Sequence, residues 1–240
     1  MQKLGNEPEE YEDSFYYDLE RRKFAIADGA SECCFSRLWA MLLTEYFVKA
    51  DQSLFSLEIF SRDGLEGVLS RFLPAAQDSW VNRIDWLSLN WNVLEKSRRG
   101  AFASFLGLEI GEKKEGYYVW RAIAVGDCCL LHFKSQELLD SFPLNASSEF
   151  GSTPLMLPSI PLPEIQYEIS GKEGKVESGE NIVLATDAAA EWVLRENESS
   201  EDQYKNLFSL RDCDLKIFFE KLIKDGRMRN DDVTLIILTF

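Results

Sequence analysis

The sequence predicts an α+β domain in which helices cover a central group of antiparallel strands. Between residues 101 and 134, apolar runs are separated by short polar turns, a pattern typical of neighbouring antiparallel strands. Apolar residues with a helical period occur before and after this region, which predicts layers of helix outside sheet. No repeat, low-complexity segment or linker divides the chain, so one domain over residues 1–240 is expected.

The N-terminal part predicts two strands and a helix. Residues 4–18 are acidic and then aromatic, as in an edge strand, and residues 22–28 form a short buried strand. From Ser31 the apolar period becomes helical, and the stripe is expected to face a sheet. The stripe consists of Phe35, Leu38, Trp39, Leu42, Leu43, Tyr46 and Phe47.

The middle of the chain predicts two helices and then strands. The helices cover about 65–73 and 76–97, and the second is expected to pack an apolar stripe into the core. That stripe consists of Trp80, Ile84, Leu87, Trp91 and Leu94. A hairpin with the turn GEKKEG follows, and CCLLHFK is predicted to add a third strand to a meander, with His132 as a packed or edge-exposed residue.

Residues 143–163 hold five of the chain's seven prolines. Proline lacks an N–H and fixes φ, so this stretch cannot be a regular central strand and is expected to be a long surface loop. A flap over substrate and an inert loop are both open interpretations. NIVLATD then predicts a strand, AAAEWVLREN a helix, and two more amphipathic helices lead to the last strand, VTLIILTF.

Composition excludes several classes of protein. A net charge of −15 disfavours binding to nucleic-acid phosphates, and no apolar stretch reaches the ~20 residues that span a bilayer. The five cysteines include two adjacent pairs, and no secretory leader is visible, so reduced thiols and a cytoplasmic location are expected. With His132 as the single histidine, a zinc site is not expected.

In three separate segments, an apolar strand is predicted to run into a carboxylate. These are FAIADGASE around Asp28, IVLATDAAAEW around Asp187 and NDDVTLIIL around Asp231. Strand ends are where side chains leave the core, so the three acids suggest one convergent site. Mg²⁺ and Mn²⁺ prefer such oxygen ligands, and the set therefore predicts a site for divalent cations.

Two of these positions carry further information. Gly29 follows Asp28, and glycine lets a backbone carbonyl approach a cation closely, which suits a carboxylate that bridges two ions. Glu191 lies four residues after Asp187, so both acids would project from one face of a helix that starts there. Asp187 also suits a helix start, and a capping role stays open beside a ligand role.

The segments EDSF, FAIADGASE, AVGDCCLL, IVLATDAAAEW and NDDVTLIIL occur in the order and at the relative positions found in one family. From residue 12 to residue 239 the chain resembles the metal-dependent protein phosphatase (PPM) family, the type 2C serine/threonine phosphatases, in a bacterial-like form. The resemblance implies a four-layer αββα sandwich of two mainly antiparallel sheets flanked by helices. It also implies hydrolysis of phosphoserine and phosphothreonine by a hydroxide that bridges two ions of Mn²⁺ or Mg²⁺. The implied partners are a phosphoprotein substrate and a cognate serine/threonine kinase.

The resemblance assigns roles by position. Asp28 would bridge the two central metals with help from the Gly29 carbonyl. Asp187 and Asp231 would complete the first metal's shell, and these three acids are the expected catalytic residues. Asp232 stands where the family carries asparagine, so the coordinating acid is ambiguous there, and Asp231 is preferred.

The remaining expected ligands are more peripheral. Asp13 matches an acid that reaches the metals through waters, and Glu12 is its neighbour. Asp127 matches the aspartate of a GDS motif, which can hold a third, looser metal together with Asp187. Glu191 stands where many members carry another acid of that third site.

The sequence departs from the family pattern at three further places. GNEPEEY lacks the arginine that usually grips the phosphate, and Arg37, Arg98 or Arg99 could replace it. Ala30 stands where some members have a proton-donating histidine. Cys128 and Cys129 replace the serine and arginine of the GDS region.

Three alternatives follow from the residues. The missing arginine suits a catalytically weak relative that binds phosphoproteins or acts as a scaffold. A phosphatase with an aspartyl nucleophile is disfavoured because no D-x-D-x-[TV] motif follows a strand. A calcium-binding module is disfavoured because no loop has alternating D-x-D-x-D-G ligands.

Overall fold

Apolar runs of the sequence form strands, and stripes with a helical period form helices. The computed structural model describes residues 1–50, 54–55, 62–151, 154–162 and 168–240. Its strands are β1 (Ser14–Asp18), β2 (Lys23–Gly29), β3 (Phe102–Lys113), β4 (Tyr117–Val125), β5 (Cys129–Lys134), β6 (Glu137–Phe142), β7 (Leu157–Pro158), β8 (Ser170–Glu177), β9 (Glu180–Ala185) and β10 (Leu235–Thr239). Its helices are α1 (Ser36–Lys49), α2 (Arg62–Ser70), α3 (Leu73–Arg83), α4 (Trp91–Ser97), α5 (Asp187–Ser199) and α6 (Asp212–Lys224).

The strands form two antiparallel sheets. The first has the order β1-β2-β3-β4-β8, with β7 paired to β3, and the second has the order β10-β9-β5-β6. Successive side chains of a strand point to opposite faces, so a strand that is apolar throughout can pack on both sides. In β2, Ile26 packs between the two sheets while Ala25 and Ala27 pack against helices. In β9, Leu184 packs between the sheets while Val183 packs against the other helical layer.

Three apolar layers result from this alternation, and they confirm the four-layer αββα sandwich. One layer joins α1, α2 and α3 to the first sheet around Trp39 and Phe47. A second lies between the sheets and contains Leu106 and Trp120. A third joins α5 and α6 to the second sheet around Trp192. Burial of this kind is the main force that holds such layers together.

The predicted edge strand and hairpin are confirmed, but the predicted meander is wrong. β1 forms one edge of the first sheet and exposes Phe15 and Tyr17. β3 and β4 form the hairpin, whereas β5 belongs to the second sheet and pairs with β6 and β9. The chain changes sheet at Gly126, whose φ of +94° is one that residues with a Cβ rarely adopt. His132 lies on β5, buried, with its Nε2 2.9 Å from Oε2 of Glu180.

The predicted helix over 76–97 is also wrong, because α3 ends at Arg83 and α4 begins at Trp91. The Asn90 side chain accepts a hydrogen bond from the Val93 N–H over 3.0 Å, and this cap starts a new helix. Trp80 is buried as expected. Trp91 and Leu87 are 73% and 99% exposed, so the expected core packing is wrong for both.

The C-terminal half differs from expectation in smaller ways. Within the proline-rich stretch, Leu157 and Pro158 form β7 and are buried against β3, so this part is not surface loop. Residues 152–153 and 163 of that stretch lie outside the described residues. Between α5 and β10 the chain forms a 3₁₀ segment (Gln203–Phe208) and then α6, rather than two α-helices. In the described parts of the chain, no helix has both the length and the apolar character that crossing a membrane requires.

Candidate functional site

Three carboxylates from different parts of the chain meet at one edge of the two sheets. Asp28 lies near the end of β2, Asp127 in the link from β4 to β5, and Asp187 at the start of α5, directly after β9. Each acid offers one carboxylate oxygen, and these oxygens all lie within 4.8 Å of one another. Of the three acids expected to converge, Asp28 and Asp187 lie in this cluster together with Asp127, and Asp231 lines the same cavity outside the cluster.

These acids line an open cavity of about 440 Å³. Its described lining is mostly acidic or small, and Arg229 is the one basic residue in it. The lining residues are Asp28, Gly29, Ala30, Ser31, Glu32, Cys33, Phe102, Ser104, Asp127, Gly151, Pro154, Met156, Asp187, Arg229 and Asp231. Gly151, Pro154 and Met156 come from the proline-rich stretch, which therefore reaches the cavity.

Burial and mutual repulsion disfavour the charged forms of these acids. The pKa of Asp28 is raised well above its ordinary value by burial and then by the charges of Asp13, Asp187 and Asp127. Burial, followed by the charge of Asp127, raises the pKa of Asp187 to about 6, although Arg229 opposes the shift. Burial likewise raises the pKa of Asp127. Such a group of acids is costly to ionise without a compensating cation.

Asp13 is buried just before β1, beside Asp28. Its Oδ2 accepts a hydrogen bond from the Thr186 hydroxyl over 3.0 Å, while its Oδ1 is buried without a hydrogen-bond donor among the described residues. Burial is the main cause that raises the pKa of Asp13 to about 7. A buried carboxylate oxygen without a donor is rare in proteins, and it indicates a missing partner such as a cation or a water.

Asp127 is held by a residue that the sequence did not single out. The Ser104 hydroxyl donates a hydrogen bond to Oδ1 of Asp127 over 2.6 Å. Ser104 lies on β3 directly opposite Asp28 in the antiparallel register, which places its hydroxyl beside the acid group. No local pattern in the sequence marks this serine, because its role depends on the pairing of β2 with β3.

Asp187 does not cap α5, because the N-cap is Thr186, and its role as a cation ligand stays a prediction. It is the first residue of α5, and its Oδ1 accepts a hydrogen bond from the Ala188 N–H over 2.5 Å. An acid in the first turn is favourable at the positive end of a helix. Its side chain also lines the cavity. The preceding Thr186 directs its hydroxyl to Asp13 rather than to a helix cap.

The adjacent acids Asp231 and Asp232 have different surroundings in the structure. Both oxygens of Asp232 are occupied, because they accept hydrogen bonds from the backbone N–H groups of Lys3 (2.8 Å) and Glu12 (2.7 Å). Asp231 instead lines the cavity, with its Oδ1 3.2 Å from Nζ of Lys3. It precedes β10 by several residues, so the apolar strand follows this acid rather than running into it.

The other expected site residues lie at the margins. Glu191 is absent from the described cavity lining and its Oε1 lies 3.2 Å from Nη1 of Arg195. Gly29 lines the cavity, and a Cβ there would come within 3.0 Å of the Glu12 carbonyl oxygen and of Ser36. Glu12 itself accepts a hydrogen bond from the Ser36 hydroxyl. Close packing therefore requires glycine at position 29.

The three arginines that the sequence suggested do not line the cavity. Arg37 donates hydrogen bonds to the backbone carbonyls of Pro8 and Glu9, and Arg98 pairs with Glu95. Arg99 lines a neighbouring cavity instead.

Arg229 is the arginine inside the acidic cavity, and sequence reasoning missed it. Its guanidinium pairs with Oδ2 of Asp187, and its Nε lies 3.4 Å from Oδ2 of Asp231. Its Nη1 lies 3.8 Å from Oε2 of Glu191. The sequence feature that could have indicated Arg229 is its position in GRMRNDD, two residues before the acidic pair of Asp231 and Asp232.

The donor set fits divalent cations that prefer oxygen. Carboxylates from three acids are clustered, a fourth acid has an unpartnered oxygen, and the cavity is open to solvent. Mg²⁺ and Mn²⁺ accept such ligands together with waters, whereas soft ions prefer sulfur or imidazole. The residues present therefore suit the hard cations expected from the sequence.

No protein-family model and no curated protein sequence matches this chain. Solved structures do match it. The Mycobacterium tuberculosis serine/threonine phosphatase PstP/Ppp has a TM-score of 0.59 at 13% identity, covering 100% of this chain and 96% of that one. PppA, a key regulatory component of T6SS in Pseudomonas aeruginosa, has a TM-score of 0.58 at 12% identity, covering 95% and 90%. A PstP catalytic domain in complex with two manganese ions has a TM-score of 0.57 at 13% identity, covering 99% and 94%.

The two sheets, their helical layers and these likenesses define the class of fold. It is the fold of the PPM phosphatases. Within that class the similarity includes the serine/threonine phosphatase PstP of Mycobacterium tuberculosis. At 12–13% identity the likeness shows the fold, and the chemistry must be argued from the site.

Proposed function

We propose that this protein is a metal-dependent serine/threonine protein phosphatase. The observation that carries the proposal is the cluster of Asp28, Asp127 and Asp187, whose oxygens lie within 4.8 Å of one another in an open cavity. In a phosphatase fold, an acidic cluster of this kind suits the binding of divalent cations and the hydrolysis of a phosphate ester.

The chain's own residues would share the work. Asp28, a member of the acidic cluster, would bridge two cations, while Asp187 and Asp231 would hold the first of them. Asp127, oriented by Ser104, would serve a third and looser site. Bound Mn²⁺ or Mg²⁺ would lower the pKa of water and so supply a nucleophile near neutral pH.

The open cavity also bears on the substrate. Because the cavity is open to solvent, it suits a phosphoserine or phosphothreonine on the surface of another protein, and a phosphoprotein is therefore the proposed substrate. The enzyme would then oppose a serine/threonine kinase. The proline-rich stretch contributes Gly151, Pro154 and Met156 to the lining and is the proposed contact with residues near the phosphorylated one.

The test is hydrolysis of p-nitrophenyl phosphate by the full chain with and without Mn²⁺. We expect activity that depends on Mn²⁺ and falls at least about 100-fold in Asp28→Asn and in Asp187→Asn, because each loses a charged ligand. Asp78→Asn, the same change at an exposed position on α3, should keep full activity. Activity that persists in excess chelator or in Asp187→Asn would contradict the proposal.

A second function is favoured by one observation, the pairing of Arg229 with Asp187 and Asp231. An internal cation at this place suits a relative of low activity that binds phosphoproteins as a scaffold. Calorimetric titration with Mn²⁺ beside the hydrolysis assay separates the two functions. Ion binding without turnover of any phosphorylated substrate favours the scaffold.

A further inference from the structure

Arg229 is the internal counter-ion of the acidic cavity. Its guanidinium contacts three carboxylates, those of Asp187, Asp231 and Glu191, and the first two are proposed cation ligands. The Arg229 side chain is 37% exposed, so it is held by these contacts at the mouth of the cavity rather than packed in the core. Its backbone is fixed nearby, because the Asp231 N–H donates a hydrogen bond to the Arg229 carbonyl over 3.1 Å.

The contacts of Arg229 compete with full loading of the site. A carboxylate that ligates a divalent cation has fewer lone pairs left for a guanidinium, and the two positive groups repel each other at short range. When Asp187 and Asp231 ligate cations, they hold the guanidinium of Arg229 less strongly, and its five N–H donors become available to another acceptor. The guanidinium remains attached at the edge of the same cavity.

A phosphate group is the acceptor that fits. The planar fork of a guanidinium matches two phosphate oxygens, and such charge-assisted pairs are among the stronger hydrogen bonds in proteins. No other basic residue is found in the described lining of this cavity. The acids would repel a phosphate if no cations were present, so its binding should follow theirs.

We infer that Arg229 exchanges its carboxylate partners for the phosphate of the substrate once the acids have bound divalent cations. This inference rests on the proposed function, and it assigns two linked roles to one residue. In the cation-free protein Arg229 neutralises the acids and competes with the ions. In the loaded protein it binds phosphate, in place of the arginine missing from the N-terminal segment.

The test separates these roles by two binding measurements that need no turnover. In Arg229→Met, which keeps the length of the side chain without its charge, the affinity for Mn²⁺ measured by calorimetry should rise several-fold, because the competitor is gone. The affinity of the Mn²⁺-loaded protein for inorganic phosphate should fall about 10- to 100-fold, the effect expected for lost charge-assisted hydrogen bonds. A rise in Mn²⁺ affinity together with a fall in phosphate affinity in this one variant is the result that the exchange predicts.

The matched control is Arg121→Met. Arg121 pairs with Glu173 across β4 and β8, with Nε 2.7 Å from Oε2, so this variant changes net charge equally at a place outside the cavity. It should alter neither affinity. If Arg229→Met is insoluble, Arg229→Lys carries the test, and it too should bind phosphate more weakly because the fork is lost.

Two results would overturn the inference. One is an unchanged phosphate affinity in Arg229→Met or Arg229→Lys, which would show that the guanidinium does not reach the anion. The other is weaker Mn²⁺ binding in Arg229→Met, which would show that Arg229 only holds the acids in place. If wild-type protein binds both Mn²⁺ and phosphate but hydrolyses no ester, the proposed function fails while the exchange can still hold.

Discussion

The hydroxyl of Ser104 donates a hydrogen bond to Oδ1 of Asp127 over 2.6 Å, and it links the first sheet to the turn that leads into the second. The Asp127 N–H also approaches the same hydroxyl oxygen at 3.4 Å. Both partners are buried, so water competes little for the hydroxyl. Ser104 therefore orients the carboxylate of Asp127 within the link.

Replacing Ser104 by alanine should weaken cation binding without unfolding the protein. Loss of a group that orients a ligand typically costs about 10- to 100-fold in metal affinity, and we expect a change of this size in a Mn²⁺ titration. Ser97→Ala is the control, since buried Ser97 donates only within α4, to the Val93 carbonyl over 2.7 Å. Equal affinity in both variants would show that Ser104 does not position Asp127.

Gly126→Ala should destabilise the fold more than Gly116→Ala does. Both glycines have a similar positive φ, +94° and +93°, so both variants strain the backbone by about 1–2 kcal/mol. A Cβ at Gly126 would also lie 2.4 Å from Oγ of Ser104, whereas a Cβ at Gly116 meets nothing within 4 Å. Urea unfolding of the two variants should differ by the cost of that clash, and equal losses would argue against close packing at the sheet crossing.

Asp13→Asn should stabilise the chelated protein at pH 8. The wild-type carboxylate is then charged and buried with one oxygen unpartnered, while a neutral amide keeps an oxygen for the Thr186 hydroxyl. We expect a gain on the order of 1 kcal/mol in the free energy of unfolding and a smaller stabilisation by added Mn²⁺.

The control for that change is Asp232→Asn, at another buried acid. Both oxygens of Asp232 accept backbone N–H groups, so an amide would direct its own NH₂ at one of these donors. A loss of about 1–3 kcal/mol is expected. A loss of the same size in Asp13→Asn would mean that its carboxylate is well satisfied without cations.

The stability of the cation-free protein should fall as the pH rises from about 4 to about 7. The pKa of Asp13 is raised from 3.8 to about 7, and that of Asp187 to about 6. Between the ordinary and the raised values the folded state binds more protons than the unfolded state, so raising the pH favours unfolding by up to about 1.4 kcal/mol per pH unit and group. Urea midpoints in chelator at pH 5 and pH 7.5 measure this difference. Added Mn²⁺ should reverse the trend because ligation needs ionised acids, and an identical profile with and without Mn²⁺ would argue against ligation.

Trp80→Ala should cost far more stability than Trp91→Ala. Trp80 is fully buried and donates its Nε1–H to the Phe35 carbonyl over 3.3 Å, so about 3–5 kcal/mol is expected. Trp91 is 73% exposed, and its replacement should stay within about 0.5 kcal/mol. Thermal unfolding of the two variants measures the contrast, and similar losses would place Trp91 in a core contact.

The layered architecture could be predicted because periodicity and family-like motifs are local properties of the sequence. What could not be predicted depends on pairing between distant segments. CCLLHFK reads as a buried strand in either sheet, and only its pairing with β9, about fifty residues away, assigns it to the second. The break between α3 and α4 had a signal, Asn90, but the spacing of Trp80, Ile84, Leu87 and Trp91 happens to continue a helical period across it.

The candidate site likewise contains residues that a local pattern predicts and residues whose role depends on contacts between distant segments. Asp28 and Asp187 follow apolar strands and could be found from that pattern alone, and Asp127 came from a motif. Ser104 gave no pattern of its own, and Arg229 gave only its position two residues before an acidic pair. Ser104 reaches the site because of the register of β2 with β3. Arg229 reaches it because the segment before β10 lies close to the start of α5. The preference for Asp231 over Asp232 came from the resemblance, and Asp231 is the one of the two that lines the cavity.

The acids of the cavity belong to both sheets, because Asp28 ends a strand of the first while Asp187 and Asp231 flank strands of the second. An ion shared among them would cross-link the two halves of the sandwich and resist sliding of one against the other. The separation of the ligands is then a function of how residues such as Leu106 and Ile182 fill the interface. Adding or removing one methylene at these positions would change the distance between the sheets and, with it, the affinity for the ion.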